Sequence, residues 1–270
     1  MQIVSHFFKR PSALSYMAQA CVLKHVQKDV IGAPSIKAIW HDYIPTDIHP
    51  IILQANSIRL SMSILTHPKF PIPIWQILQI RNQITQRKVL PSNINVEMEA
   101  TLKETRVLTK GVEFDIHVIV TPGSEIFFES INTFYAKRKF KNGQAQTQKT
   151  KREVPSLSLE QEKWTISKEG VWNFAKVTGD YNGVHFLNSY AKFFGFNSAF
   201  AHPHRALMSI FEHLPRVDVS SPFQLNVYFK GPVYYAKQLL LSYQEENGIL
   251  DFALRVDGDG RPAILGSIKV

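Results

Sequence analysis

The sequence predicts an α+β fold of two similar halves, each a long apolar helix followed by antiparallel strands that wrap it as a sheet of its own. Three observations predict it. Over 94–102 and 112–120 apolar residues recur at every second position, the pattern of antiparallel strands with one buried face. Two apolar helical runs open on a His-Pro pair, His49-Pro50 and His202-Pro203, and each is followed by strands. Between the halves, Lys137 to Arg152 is basic and nearly free of large apolar residues, the composition of a linker.

The elements can be taken in order. Pro11 to Val26 is a candidate helix, with Leu14, Met17, Ala18, Cys21 and Val22 as a packing stripe. Ile36 to Trp40 is a short strand. The helix from His49-Pro50 carries Ile51, Ile52, Ala55, Ile58 and Met62, and Pro68, Pro71 and Pro73 break regular structure after it. After the segment Trp75 to Thr85 come strands at Ile94–Leu102, Val112–Val120 and Ile126–Tyr135, the last behind the turn Thr121-Pro122-Gly123-Ser124. The basic stretch carries Phe140 alone as a stacking aromatic, so a solvated linker fits it better than a nucleic-acid site. The second half opens with a helix capped at Ser167, with Val171, Phe174, Ala175 and Thr178 on one face. A second helix runs from His202-Pro203 to Leu214. Strands come next at Phe223–Lys230, Gln238–Gln244, Leu250–Val256 and Ala263–Val270, with Asn247-Gly248 and Asp257 to Gly260 as hairpin turns. The halves divide as 1–150 and 151–270.

The chemistry gathers in Val177-Thr-Gly-Asp-Tyr-Asn-Gly-Val-His185. Gly179 ends a helix as a residue free to take positive φ. The acid Asp180 and the imidazole His185 lie five residues apart, with the turn formers Asn182 and Gly183 between them. Such a turn folds both side chains towards one volume, which general acid–base chemistry requires. A capping or surface pair would show the same spacing.

The next residues strengthen the acid–base reading. Tyr190-Ala191, Gly195-Phe196 and Ala201-His202 come in order, the last opening an apolar helix. Over about 40 residues, Thr178, Gly179, Asp180, Asn182, His185, Tyr190, Ala191, Gly195, Phe196, Ala201 and His202 resemble the signature of the MaoC-like hydratases and dehydratases, which include the (R)-specific enoyl-CoA hydratases. The resemblance implies a double hotdog: two antiparallel sheets, each wrapping a central helix. It implies that Asp180 and His185 are the catalytic pair, handling the water added to or removed from a 2-enoyl/3-hydroxyacyl thioester. Asn182, His202, Pro203 and His204 stand at the positions that shape or bind the thioester. The half 1–150 lacks the motif and is read as the degenerate partner that widens the acyl site. Two departures stand out. Gly183 replaces the usual Pro, a mild change. Pro203 replaces the Gly whose N–H holds the thioester oxygen, and proline has no N–H to give. Losing one such donor costs about 10²–10³ in rate, so Pro203→Gly is expected to raise kcat unless His202, His204 or the helix dipole takes over.

Two functions remain: a hydratase/dehydratase, and a non-catalytic acyl-thioester or protein-binding module that kept the fold. Other chemistry finds little support. There is no Cys/His cluster with metal spacing, no phosphate-binding loop and no G-x-S-x-G elbow, so neither a metal nor a cofactor is expected. With 31 basic against 22 acidic residues the net charge is +9, which suits the phosphates of coenzyme A or an acidic acyl carrier protein. No nucleic acid is expected as partner, and a homodimer is compatible. No apolar run approaches the roughly 20 residues of a membrane span, and the start lacks a secretory pattern. With its single cysteine, Cys21, the chain reads as cytoplasmic.

Overall fold

A computed structural model describes residues 37–44, 49–89, 91–137, 161–214, 217–218 and 221–269. The expected helix over 11–26 and the basic stretch beyond Lys137 lie outside these residues. The first half holds β1 (Lys37–Ile44), α1 (Pro50–Leu65), β2 (Ile77–Gln86), β3 (Ile94–Leu108), β4 (Gly111–Thr121) and β5 (Phe128–Lys137). The second holds β6 (Gln161–Thr165), α2 (Val171–Thr178), α3 (Asn188–Phe193), α4 (Pro203–Phe211), β7 (Phe223–Phe229), β8 (Gln238–Glu246), β9 (Ile249–Val256) and β10 (Pro262–Lys269).

Pro50 begins α1 with its φ preset, and the His49 ring nitrogen Nδ1 accepts the Ile51 N–H at 3.2 Å. The helix is buried nearly all round, as befits a helix enclosed by a sheet and its neighbours. It packs on β1 and β3 and against α2 and α4. From α4, the buried Ala206, Leu207 and Ile210 join the same continuous core. The alternation read in the sequence holds: Val96, Met98 and Ala100 of β3 and Val112, Phe114, Ile116, Val118 and Val120 of β4 are buried. A bulge between Leu102 and Glu104 breaks the period, and β3 continues past it to Leu108 where the sequence pattern ends at Leu102. The β8–β9 turn places Asn247 at φ 52° and Gly248 at φ 73°, the positive-φ pair of a tight hairpin.

The two half-sheets are not separate. Ten strands form one antiparallel sheet in the order β1-β3-β4-β5-β2-β7-β10-β9-β8-β6, and β2 pairs with β7 from Arg81↔Tyr228 to Gln86↔Phe223. The physical reason is that each five-stranded half would otherwise expose an edge of unpaired backbone groups, and pairing β2 with β7 satisfies both. At the seam Gln83 donates to the Asn226 side-chain oxygen across the pair at 3.1 Å. A second difference concerns α2, which starts at Val171 instead of near Ser167. Gly170 precedes it at φ 75°, a left-handed residue through which no right-handed helix continues.

Candidate active site at the Asp180–His185 turn

The turn is built by a chain of local hydrogen bonds. Gly179 leaves α2 at φ 72°, its N–H returning to the Ala175 carbonyl at 2.8 Å. The Thr178 hydroxyl donates to the Phe174 carbonyl at 3.1 Å and accepts the Asp180 N–H at 3.3 Å. Asp180 Oδ1 accepts the Asn182 N–H at 3.1 Å, and Asn182 Oδ1 accepts the Val184 N–H at 3.3 Å. A single 3₁₀ turn over Gly183–His185 comes next. Gly183 is needed by close approach, because a Cβ there would lie 2.8 Å from the Tyr190 ring. Arg59 of α1 braces the turn from the other half, donating to the Lys176 carbonyl and passing beneath Gly179.

The outcome is an acid and an imidazole facing each other, with His185 Nε2 3.5 Å from Asp180 Oδ2. His185 Nδ1 lies 3.0 Å from the Phe200 carbonyl oxygen. A carbonyl only accepts, so Nδ1 carries a proton, and in the neutral form of the ring the Nε2 lone pair faces Asp180. Two acceptors side by side call for a shared donor, and a water donating one proton to each satisfies both. Burial alone would raise the Asp180 pKa. A proton on His185 Nε2 would pair and hydrogen-bond with the carboxylate, and that interaction, with His202 and the Asn182 N–H, outweighs burial and holds the carboxyl well below its ordinary range. The Asp180 side chain is 20% exposed and the His185 side chain 5%, so solvent reaches the acid more readily than the imidazole. Behind it, the Tyr235 hydroxyl donates to the His185 carbonyl at 3.2 Å. Burial pushes the Tyr235 hydroxyl up to about 12, so it remains a donor.

The remaining sequence-selected residues divide. His202 caps α4 from the buried side, donating from Nε2 to the Asp180 backbone carbonyl at 3.0 Å and stacking on His185 at 4.0 Å between ring centres. Its Nδ1 is buried without a partner. Burial and the neighbouring His185 push its pKa down to about 4. Pro203 is the first residue of α4. His204 is buried against α1, where Gln54 Nε2 lies 3.4 Å from its Nε2, and burial pushes it down to about 4. The carboxamide oxygen of Asn182 is committed to the turn itself.

Asp180, His185 and His202 each offer a ligand atom, all within 4.8 Å of one another, the one such group among the described residues. They fit a metal poorly. The two imidazoles are stacked 27° from parallel, so their in-plane lone pairs run side by side instead of converging, and one His202 nitrogen is taken by the Asp180 carbonyl. Sequence reasoning missed Gln54, Arg59, Phe200 and Tyr235. The first two come from the half without the motif. Gln54 alone left a trace, as a polar residue inside an otherwise apolar helical run.

No protein-family model matches the sequence. The 3-hydroxyacyl-thioester dehydratase X of Mycobacterium tuberculosis is 24% identical over 211 residues, spanning 77% of this chain and 74% of that protein. Among solved structures, HtdX of M. tuberculosis superposes with a TM-score of 0.65 at 19% identity, covering 86% of this chain and 99% of the other. A MaoC-like dehydratase from Phytophthora capsici superposes at 0.62 with 16% identity, covering 89% and 97%.

Proposed function

We infer that this chain, a protein of the MaoC-like hotdog family, is a hydratase/dehydratase that adds water to a 2-enoyl thioester or removes it from the 3-hydroxyacyl form. The observation that carries the reading is the 3.5 Å approach of Asp180 Oδ2 to His185 Nε2, with the imidazole proton held on the far nitrogen by Phe200. A water donating to both groups keeps its lone pairs free for C3 of the enoyl chain. As the C3–O bond forms, the pair takes a proton from the water, and it gives that proton to C2 as the enolate collapses. In the reverse direction the pair removes the C2 proton and gives one to the leaving hydroxyl. Negative charge builds on the thioester oxygen in both directions, and the N-terminus of α4 is the place for it, with His202, Pro203 and His204 around it.

The same reading divides the chain into a half at 1–150 that shapes the acyl site and a half at 151–270 that carries the turn. The carrier is coenzyme A or an acyl carrier protein, whose anionic groups suit a net charge of +9. A cytoplasmic setting and a homodimer accord with it, and no described helix is long and apolar enough to cross a membrane. One observation favours a second reading: Pro203 removes a donor where the oxyanion forms, so a binding module would tolerate it. Incubation with crotonyl-CoA decides between them. Hydration to 3-hydroxybutyryl-CoA that disappears in His185→Gln supports the enzyme. Tight acyl-CoA binding without turnover, over a range of chain lengths, overturns it.

A further inference from the structure

Pro203 leaves the thioester oxygen short of one backbone donor, yet the turn before α4 is built as if for catalysis. An imidazole stands one residue further on. His204 is 3% exposed and its Nε2 is 3.4 Å from the carboxamide nitrogen of Gln54 on α1. Gln54 is fully buried, and its orientation is held by a network of amides. Asn132 Oδ1 on β5 accepts from Gln54 Nε2 at 2.8 Å, from Gln79 Nε2 at 2.9 Å and from Asn82 Nδ2 at 3.0 Å. Asn132 Nδ2 donates to the Ser130 hydroxyl at 3.3 Å. Three donors converge on one oxygen, so Gln54 must present its NH₂ group inward. Its first hydrogen goes to Asn132 and its second to His204 Nε2.

An NH₂ group only donates. His204 Nε2 is therefore the acceptor, and the neutral ring carries its proton on Nδ1. Among the described residues Nδ1 has no partner. His204 stands in the first turn of α4, two residues after His202, whose ring bonds the Asp180 carbonyl and stacks on His185. The arrangement has a cost. Gln54 Oε1 is buried with no partner, the acceptor given up so that the nitrogen faces His204.

We propose that the His204 imidazole, set as its Nδ1–H tautomer by Gln54 of the other half, donates the hydrogen bond to the thioester oxygen that Pro203 cannot give. His204 is then a catalytic residue, and Gln54 and Asn132 position it across the two halves. The inference rests on the hydratase/dehydratase reading for the identity of the oxygen, but not for the tautomer.

The test uses the full chain with three substitutions, singly and in two pairs, and two readouts. ¹⁵N NMR of the ring nitrogens reads the tautomer without turnover. Wild type is expected to show His204 protonated at Nδ1, and Gln54→Met to shift it towards Nε2–H. In crotonyl-CoA hydration, Gln54→Met is expected to lower kcat by about tenfold and His204→Leu by about 10²-fold, each with KM changed little, because the charge exists only in the transition state. Adding Pro203→Gly to either variant restores a backbone N–H and is expected to recover most of the loss. A merely structural Gln54 would not be rescued by a glycine on another helix. A wild-type His204 protonated at Nε2 overturns the proposal, and so does a gain near 10²-fold from Pro203→Gly alone. If wild type turns over no enoyl thioester, the function reading fails, and the tautomer measurement still decides the Gln54–His204 relation.

Discussion

Acid should destabilise this protein well before its carboxylates protonate, because two histidines are buried neutral at one site. His202 and His204 are 1% and 3% exposed, and burial lowers each from 6.5 to about 4. A histidine whose folded pKa lies below its unfolded one binds fewer protons when folded. Its contribution is intact above about pH 6.5 and is lost as pH falls towards 4. At pH 5 an unfolded histidine is almost fully protonated and these two are not, which costs the folded state about 2 kcal/mol each, or about 4 kcal/mol for the pair. The depressed Asp180 acts in a separate window, below about pH 4, where the unfolded chain starts to take up its carboxylate protons. His49, also lowered by burial, adds to the histidine effect in the same direction. Urea unfolding at pH 7 and pH 5 measures the difference. With a slope of about 3 kcal/mol per molar, the midpoint should fall by about 1 M or more. The double variant His202→Gln/His204→Gln, less stable at pH 7, should lose most of the pH dependence. Midpoints that agree within about 0.2 M in the wild type, or a wild-type slope in the double variant, would refute the reasoning.

Three further outcomes are expected. Asp180→Asn keeps the oxygen that accepts the Asn182 N–H but turns an amide towards the His185 lone pair, so kcat should fall by about 10²–10⁴ while the melting temperature at pH 7 changes little; a turnover within a few-fold of wild type would remove Asp180 from the chemistry. Tyr235→Phe removes the donor to the His185 carbonyl and should cost about 1 kcal/mol in stability with a smaller loss of rate, measured by paired melting and turnover assays. Gly266→Ala places a Cβ 2.1 Å from the Phe252 ring, which is fully buried and has nowhere to move, so unfolding free energy should drop by about 1–3 kcal/mol; an unchanged melting curve would show that the β9–β10 packing yields more easily than the geometry allows.

By itself the sequence determined what depends on neighbours along the chain. Alternation placed the inward faces of β3 and β4, since side chains on a strand leave on opposite sides whatever the strand pairs with. The His-Pro pairs placed the starts of α1 and α4, because proline suits only the first turn. Gly179, Asn182 and Gly183 specified the turn that carries Asp180 to His185, since every hydrogen bond in it spans four residues or fewer. Contacts between distant segments left no such signature. A sheet for each half is legible in the alternation, but only the pairing of β2 with β7 joins them, and an edge strand reads the same before and after it finds a partner. The His185 tautomer is decided by the carbonyl of Phe200, and a carbonyl is present at every residue. Gln54 and Asn132 are 78 positions apart, and His204 is 150 beyond Gln54. Read singly, none of the three names its distant partner. The tertiary structure alone brings them into one network, because a buried amide must find its partners wherever the fold supplies them.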